Sequence, residues 1–207
     1  MNLKTKEFLI ALNKVDETKR NKQFASTTAK DLSLEKLRVG QHIKPLLLSL
    51  DIDLYGTFKM HSVAQTIYNV DGWLYNKRLI FIENKCISRD WPNLFVELWM
   101  DRGTYTEPGW AKKEYKEEVK NSEVYLINAY ESFIKIYDMH KIKELVSDVK
   151  VFSENRLAIS VNGCRGKTYI GKDPRFGGTI YGINFPFEEV EKFEVKDFGE
   201  VVRNGRI

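Results

Sequence analysis

The apolar run Leu79-Ile80-Phe81-Ile82, followed at once by Glu83-Asn84-Lys85, constrains the fold of this chain more than any other feature. Four consecutive apolar residues of this kind predict a strand buried on both faces at the centre of a sheet. Side chains two positions apart in a strand point to the same face, so we expect Glu83 and Lys85 to lie side by side. Burying their charges is costly unless they pair with each other or bind another group. The pattern therefore places two charged groups at the rim of a buried strand.

The remaining periodicity predicts a mixture of helices and strands. A helix is predicted over residues 31–50, beginning at Asp31 or Ser33. Its predicted face consists of Leu34, Leu37, Gln41 and Leu48. The other predicted helices cover residues 112–120, 139–146 and 186–193. The predicted strands cover residues 62–70, 78–87, 94–100, 123–128, 133–138, 157–161, 167–170 and 179–183.

The chain has 207 residues, which is enough for one sizeable core and short for two independent domains. We expect a single α/β domain with an N-terminal basic arm over residues 1–30, a core over residues 31–146 and a β-rich C-terminal appendage over residues 147–207. The basic residues that stand out in the arm are Lys19, Arg20 and Lys22. The net charge of +4 is compatible with a polyanionic partner but does not establish one.

A second acid, Asp71, precedes Glu83 by one predicted hairpin. Two carboxylates that meet at a sheet edge repel each other, and a hard divalent cation removes that repulsion. Such a cation also lowers the pKa of a bound water, and a lysine beside it can orient that water or neutralise charge on a phosphate. Asp71, Glu83 and Lys85 together predict a phosphodiester hydrolase. The alternative that stays open is a structural salt bridge between Glu83 and Lys85.

The short pattern Asp/Glu-x-Lys is common in this lysine-rich chain. Its occurrences are Glu17–Lys19, Glu83–Lys85, Glu114–Lys116, Glu118–Lys120, Asp148–Lys150 and Glu194–Lys196. Only Glu83 follows an apolar strand and has an acid one hairpin upstream. Context therefore separates this occurrence from the other five.

Two segments carry a resemblance to a known family. Asn69-Val70-Asp71-Gly72, followed by Ile80-Phe81-Ile82-Glu83-Asn84-Lys85, resembles the PD-(D/E)XK nuclease superfamily, which includes restriction endonucleases and junction resolvases. The order also resembles it, with a helix, then a strand that ends in Asp, then a strand that carries Glu-x-Lys. Asn93–Trp99 and Pro108-Gly109-Trp110 resemble a subset common in phage and bacterial genomes. The resemblance covers roughly residues 34–146, and Val70 stands where the family name has Pro.

The resemblance implies a restriction-endonuclease-like mixed central sheet flanked by helices, and it implies site residues. Asp71 and Glu83 would bind Mg²⁺, with Mn²⁺ as a substitute, and the carbonyl of Asn84 would add a ligand. Lys85 would be the catalytic lysine. The family also uses a polar or acidic residue from the upstream helix. Gln41 fits that place because it interrupts the apolar face, and Glu35 is its acidic competitor.

The function that follows is a metal-dependent DNA endonuclease, with DNA as its partner. A homodimer would supply two sites for cutting two strands, and RNA remains open as a substrate. The rival hypothesis is a non-catalytic nucleic-acid-binding or protein-interaction protein that shares the fold. With two isolated cysteines, no apolar N-terminal segment and no window of 18 apolar residues, we expect a cytoplasmic protein without a membrane partner.

Overall fold

A computed structural model of the protein describes residues 3–15, 33–49, 62–173 and 177–204. It has a mixed α/β architecture with two separate sheets, one of four strands and one of five. The strands are β1 (Gly72–Asn76), β2 (Arg78–Cys86), β3 (Asn93–Asp101), β4 (Thr106–Pro108), β5 (Glu123–Ala129), β6 (Ile134–Asp138), β7 (Ala158–Val161), β8 (Cys164–Lys172) and β9 (Thr179–Pro186).

Seven helical segments lie within the described residues. They are α1 (Leu3–Leu12), α2 (residues 33–49), α3 (Val63–Thr66), α4 (Glu117–Lys120), α5 (Met139–Leu145), α6 (Phe187–Val190) and α7 (Phe198–Asn204). Helix α2 contains a π-helical turn at Val39–Ile43, followed by an α-helical end at Lys44–Ser49. Helix α6 continues into a 3₁₀ turn at Glu191–Phe193. Of the described helices, none combines the length and the apolar character needed to cross a membrane.

The chain divides into two compact units. Unit 1 comprises Met1–Asp90, Glu114–Met139 and Val195–Ile207, and unit 2 comprises Trp91–Lys113 and His140–Glu194. Strand β3 pairs with β9, so it belongs to the same sheet as the predicted C-terminal appendage. The predicted limits of a single domain, with a core that ends at residue 146, stay a prediction.

Unit 1 contains the four-stranded mixed sheet, in the order β1-β2-β5-β6. Strand β2 is antiparallel to β1 and parallel to β5, and its central residues Ile80, Phe81 and Ile82 are completely buried. One face packs against α2 and α7. The members of that core cluster are Val39, Ile43, Leu47, Leu74, Ile80, Ile82, Tyr125, Ile127, Ala129, Ile136, Phe198 and Val202. The predicted two-sided burial of the central strand is confirmed.

Unit 2 contains the five-stranded antiparallel sheet, in the order β4-β3-β9-β8-β7. Burial alternates strictly along β3, with Leu94, Val96 and Leu98 completely buried and their neighbours half-buried. This alternation is typical of a sheet with one covered and one solvated face. The predicted strands over residues 157–161, 167–170 and 179–183 are confirmed as parts of β7, β8 and β9.

The predicted strand over residues 62–70 is wrong. The Ser62 hydroxyl accepts a hydrogen bond from the amide of Gln65 at 3.3 Å and caps the short helix α3. Asn69 then takes a left-handed conformation with φ of 56°, and the chain enters the sheet only at Gly72. A local cap therefore overrides the β-favouring composition of the segment.

The predicted solvated helix over residues 112–120 is mostly wrong. Only Glu117–Lys120 is helical, because the amides of Lys112 and Lys113 turn back to the carbonyl of Gly109, at 2.9 and 3.0 Å. Tyr115 and Val119 are buried, so the segment also contributes to a core.

Helix α2 lies in the predicted place but turns another face inward. The predicted apolar face is wrong, because Leu37 is 49% exposed and Leu48 is 70% exposed. Val39, Ile43 and Leu47 are buried instead. The π-helical turn at Val39–Ile43 shifts the register only of the residues that follow it, such as Leu48, whereas Leu37 precedes the turn.

Candidate active site at the end of strand β2

Asp71 is held beside Glu83 by the backbone of β2. It directly precedes β1, and its amide donates to the carbonyl of Ile82 at 2.9 Å. In the antiparallel pairing of β1 with β2, Gly72 lies opposite Ile82. Asp71 and Glu83, one residue further along, therefore lie opposite each other. The Asp71 carboxylate accepts a hydrogen bond from the amide of Asn84 at 2.8 Å, and its other oxygen accepts from the Gln65 side chain at 3.4 Å. The two carboxylates that the sequence singles out therefore come together at the start of the hairpin.

Glu83 and Lys85 lie on the same side of β2, as their spacing predicts. The ammonium of Lys85 donates to Glu83 Oε1 at 2.7 Å. The Glu83 side chain is only 8% exposed, whereas that of Lys85 is 35% exposed. A carboxylate this deeply buried needs a cationic partner. The lysine supplies one, and its exposure leaves the amine within reach of a ligand from solvent.

Glu35 joins this group from helix α2. Burial raises the pKa of its carboxyl group, the negative charge of Asp71 raises it further, and the positive charge of Lys85 opposes the shift. The carbonyl of Glu35 faces the Cys86 thiol at 4.0 Å, which places this turn of α2 at the end of β2. The acidic competitor from the upstream helix is thus electrostatically coupled to the site.

Gln41 has a different environment. Its side-chain oxygen accepts a hydrogen bond from Arg38 at 2.9 Å, and its side chain is exposed. The geometry favours Glu35 over Gln41 as the helix residue of the site, and a role for Gln41 stays a prediction. Sequence reasoning preferred Gln41 because it assigned the inward face to Leu34 and Leu37, whereas Leu37 is exposed and Glu35 is half-buried.

Arg38 fixes α2 against the end of the sheet, and sequence reasoning missed it. Its buried guanidinium donates to the carbonyls of Ile87, Ser88 and Glu131, at 3.4, 3.4 and 3.3 Å. These carbonyls follow β2 and β5, so one side chain ties the helix to both strand ends. The only sequence signal was a single arginine in a helix, which is normally a solvated residue.

Two further buried polar groups lie around the carboxylates. Burial raises the pKa of the Tyr115 phenol, and the charges of Glu83 and Asp71 raise it further, so the hydroxyl stays protonated beside them. Asn128 is almost completely buried on β5, where the parallel register sets it opposite Lys85.

The Cys86 thiol at the end of β2 is not a candidate nucleophile. Burial raises its pKa to about 11, so the thiol is protonated at neutral pH.

A divalent cation bound here would have few protein ligands. Among the described residues, no three His, Cys, Asp or Glu side chains converge closely enough to form a ready-made metal cluster. Asp71 and Glu83 nevertheless supply carboxylates on opposite residues of the hairpin. The chemistry of the pair suits a hard cation that retains several waters, which needs only one or two protein carboxylates.

Other predicted features fall elsewhere. The basic residues Lys19, Arg20 and Lys22 lie outside the described residues. The segment Asn93–Trp99, which contributes to the family resemblance, belongs to β3 in unit 2. Comparison with known proteins adds no relative, since no protein-family model, no curated protein and no solved structure matches this chain.

Proposed function

We propose that the protein is a metal-dependent DNA endonuclease that hydrolyses phosphodiester bonds at Asp71, Glu83 and Lys85. The observation that carries the proposal is the anchoring of Asp71 to the backbone of β2, directly opposite the buried Glu83. Two carboxylates on opposite residues of a hairpin repel each other, and this repulsion opposes the stability that their hydrogen bonds contribute. Binding of a cation is the function that makes the arrangement favourable.

Asp71 and Glu83 would hold Mg²⁺ or Mn²⁺, with Glu35 and the carbonyl of Asn84 as further candidate ligands. When bound, the ion would supply an activated water as the nucleophile. Glu35 supports the proposal. Its carboxyl group is electrostatically coupled to Asp71, so it adds an acid to the site, whereas Gln41 would add none.

Lys85 would bind the scissile phosphate or orient the attacking water. Its amine already lies on Glu83, and a third of its side chain is open to solvent. A lysine ammonium is a point charge that can stabilise the negative charge developing on a phosphate. Asn128, opposite Lys85 in the sheet, would limit the positions that the lysine can take.

The element order supports a restriction-endonuclease-like core in unit 1. Helix α2 precedes a hairpin in which β1 begins after Asp71 and β2 carries Glu83 and Lys85, and β5 then adds in parallel. DNA is the proposed substrate, and a homodimer and a cytoplasmic location remain parts of the proposal.

One observation favours the rival function, a non-catalytic nucleic-acid-binding protein. The 2.7 Å contact between Lys85 and Glu83 already compensates the buried carboxylate without a metal. On this hypothesis the pair is structural and the protein binds DNA without cutting it.

Cleavage of plasmid and branched DNA in Mg²⁺ or Mn²⁺ tests the proposal. We expect wild-type protein to cut and Glu83→Ala and Lys85→Ala each to lose at least about 100-fold in rate. Glu83→Ala removes a ligand of the ion that activates the water, and Lys85→Ala removes the positive charge that stabilises the reacting phosphate. Glu118→Ala and Lys120→Ala are matched controls, since these exposed residues carry the same Glu-x-Lys spacing in helix α4. They should cut as wild type does.

The same assay separates the two helix candidates. Glu35→Gln should lower the rate about 10- to 100-fold, the range found when a group supporting a metal site is removed. Gln41→Ala should change it by less than threefold. DNA binding by wild-type protein without cleavage in either metal would establish the binding-protein hypothesis instead. Glu83 and Lys85 variants that cut as fast as wild type would show that the two residues form a structural pair.

A further inference from the structure

We propose that the solvated face of the sheet in unit 2 binds single-stranded DNA, with Tyr169 and Phe95 as a stacking platform and Lys167 as its main phosphate contact. This surface belongs to unit 2, and its ligand class is one that the active site does not specify. Binding to it is independent of catalysis, because it can be measured without divalent metal.

The platform is built on β8, whose side chains alternate between the two faces of the sheet. Cys164, Gly166 and Thr168 are buried, whereas Arg165, Lys167 and Tyr169 point to solvent. Residues two apart on one strand are separated by about 7 Å. Two cations and a ring therefore follow one another in a straight row along the open face.

Two aromatic rings lie together on this face. Tyr169 is 38% exposed, and its ring centroid lies 5.2 Å from that of Phe95 in an edge-to-face arrangement. Glycines provide the space beneath them. A Cβ at Gly182 would collide with the Phe95 ring, and a Cβ at Gly171 would collide with the Tyr169 ring.

The charge around the rings suits a polyanion. Residues 155–172 contain four basic residues and no acidic residue. All four are exposed, and they are Arg156, Arg165, Lys167 and Lys172. Arg165 is ion-paired with Glu189 at 2.7 Å, so we assign the main phosphate contact to Lys167. The acid on the same face, Glu97, lies on β3, with Gly182 of β9 between it and Tyr169.

The combination of rings and cations selects an unpaired strand. An exposed ring on an open sheet offers its surface to a base that is already unstacked, while neighbouring cations follow the phosphates. In a duplex the bases stack on one another and cannot reach such a ring. The proposed occupant is therefore single-stranded DNA, and duplex DNA should bind more weakly.

Fluorescence anisotropy with a labelled 20-nucleotide oligothymidine, in EDTA, tests the proposal. We expect Tyr169→Ala to weaken binding about tenfold, because it removes the stacking surface. Tyr169→Phe should retain wild-type affinity. Lys167→Ala should weaken binding and lower the slope of log affinity against log salt by about 0.7, the change expected for one phosphate contact on a single strand.

Controls come from the same unit. Tyr105→Ala removes an exposed ring from the turn between β3 and β4, and Lys150→Ala removes an exposed cation outside β8. Circular dichroism confirms that each variant is folded. The proposal is overturned if Tyr169→Ala and Lys167→Ala bind as these controls do, if a duplex of the same length binds more tightly, or if oligouridine binds more tightly than oligothymidine. If wild-type protein binds oligothymidine but does not cut DNA in Mg²⁺ or Mn²⁺, the proposed nuclease activity is wrong and the proposed binding surface stands.

Discussion

The two sheets of this protein differ in how deeply their strands bury charged residues. In unit 1, strand β2 is buried on both faces and still carries Glu83, which is almost fully buried. In unit 2, strand β3 alternates, and its acid Glu97 lies on the half-exposed side, where a charge costs little. A charge on a solvated face needs no functional explanation, whereas a carboxylate in a two-sided core does. Unit 2 also has a buried carboxylate, Asp173, but it lies after the end of β8, where Arg102 pairs with it at 2.6 Å. The buried acid within a strand, with a second acid opposite it, is in unit 1, which favours placing the active site there.

The largest expected effects test the burial patterns themselves. Phe81→Ala and Ile82→Ala are neighbours on β2, and each should lower the free energy of unfolding by about 2–5 kcal/mol because both side chains are completely buried. On β3 only one of two neighbours should matter. Leu98→Ala should cost a similar amount, and Glu97→Ala should change stability by about 0.5 kcal/mol or less. Urea denaturation measures all four.

Equal costs for Leu98→Ala and Glu97→Ala would remove the contrast between the sheets. A cost below about 1 kcal/mol for either β2 variant would show that the central strand is less enclosed than its contacts indicate.

The contrast was only partly predictable from sequence. The apolar run at residues 79–82 predicted β2 correctly, because continuous hydrophobicity reports burial directly. Strands β3, β7, β8 and β9 of unit 2 were predicted as short runs of β-favouring residues, and the short β4 was not predicted. The helix errors depended on local and tertiary contacts. Ser62 caps a helix where composition favoured a strand, and α2 turns Val39 and Ile43 inward in place of Leu37.

The candidate site shows the same division. The spacing of Glu83 and Lys85 predicts their contact, since it depends only on the two-residue period of a strand. Asp71 lies beside Glu83 as predicted, but it is the residue before β1 and not the last residue of an earlier strand. Glu35 and Arg38 depend on how α2 docks on distant strand ends, and no local pattern encodes contacts across about fifty residues.

An effect of intermediate size compares one ion pair from each unit. Lys85→Met removes the cation from a carboxylate that is 8% exposed, and it should lower the free energy of unfolding by about 1–3 kcal/mol in EDTA. Arg165→Met removes the cation from Glu189, but the arginine is 83% exposed, so the change should be close to zero.

Mg²⁺ makes this comparison sharper. In the Lys85→Met protein, Mg²⁺ should restore part of the lost stability, because an ion that binds only the folded state stabilises it by mass action. The Arg165→Met protein keeps the proposed ion site, so Mg²⁺ should stabilise it as much as wild type and leave its difference from wild type unchanged. Thermal denaturation with EDTA and with Mg²⁺ measures both. Identical behaviour of the two variants would mean that Glu83 is no more dependent on a cation than an acid of unit 2.

The smallest effects concern two acids outside the cores, one from each unit, whose pKa values are lowered by different partners. The hydroxyl and the amide of Ser132 lower the pKa of Asp90, and Arg165 lowers the pKa of Glu189 through its amide and its guanidinium. A lowered pKa in the folded state means that the stabilisation is complete above the unfolded pKa and is lost as the pH falls through the folded pKa.

Asp90→Asn and Glu189→Gln should each lower the melting temperature at pH 7 by no more than about 4 °C. Each difference from wild type should begin to shrink as the pH falls below the unfolded pKa of the acid, about 4, and should vanish once the pH is below the lowered folded pKa. Salt separates the two, since 0.5 M NaCl screens the ion pair of Glu189 and should shrink its effect, whereas the neutral Ser132 donors keep theirs. If salt shrinks both effects equally, Asp90 is stabilised by the surrounding positive charge, Arg38 included, and not by the serine.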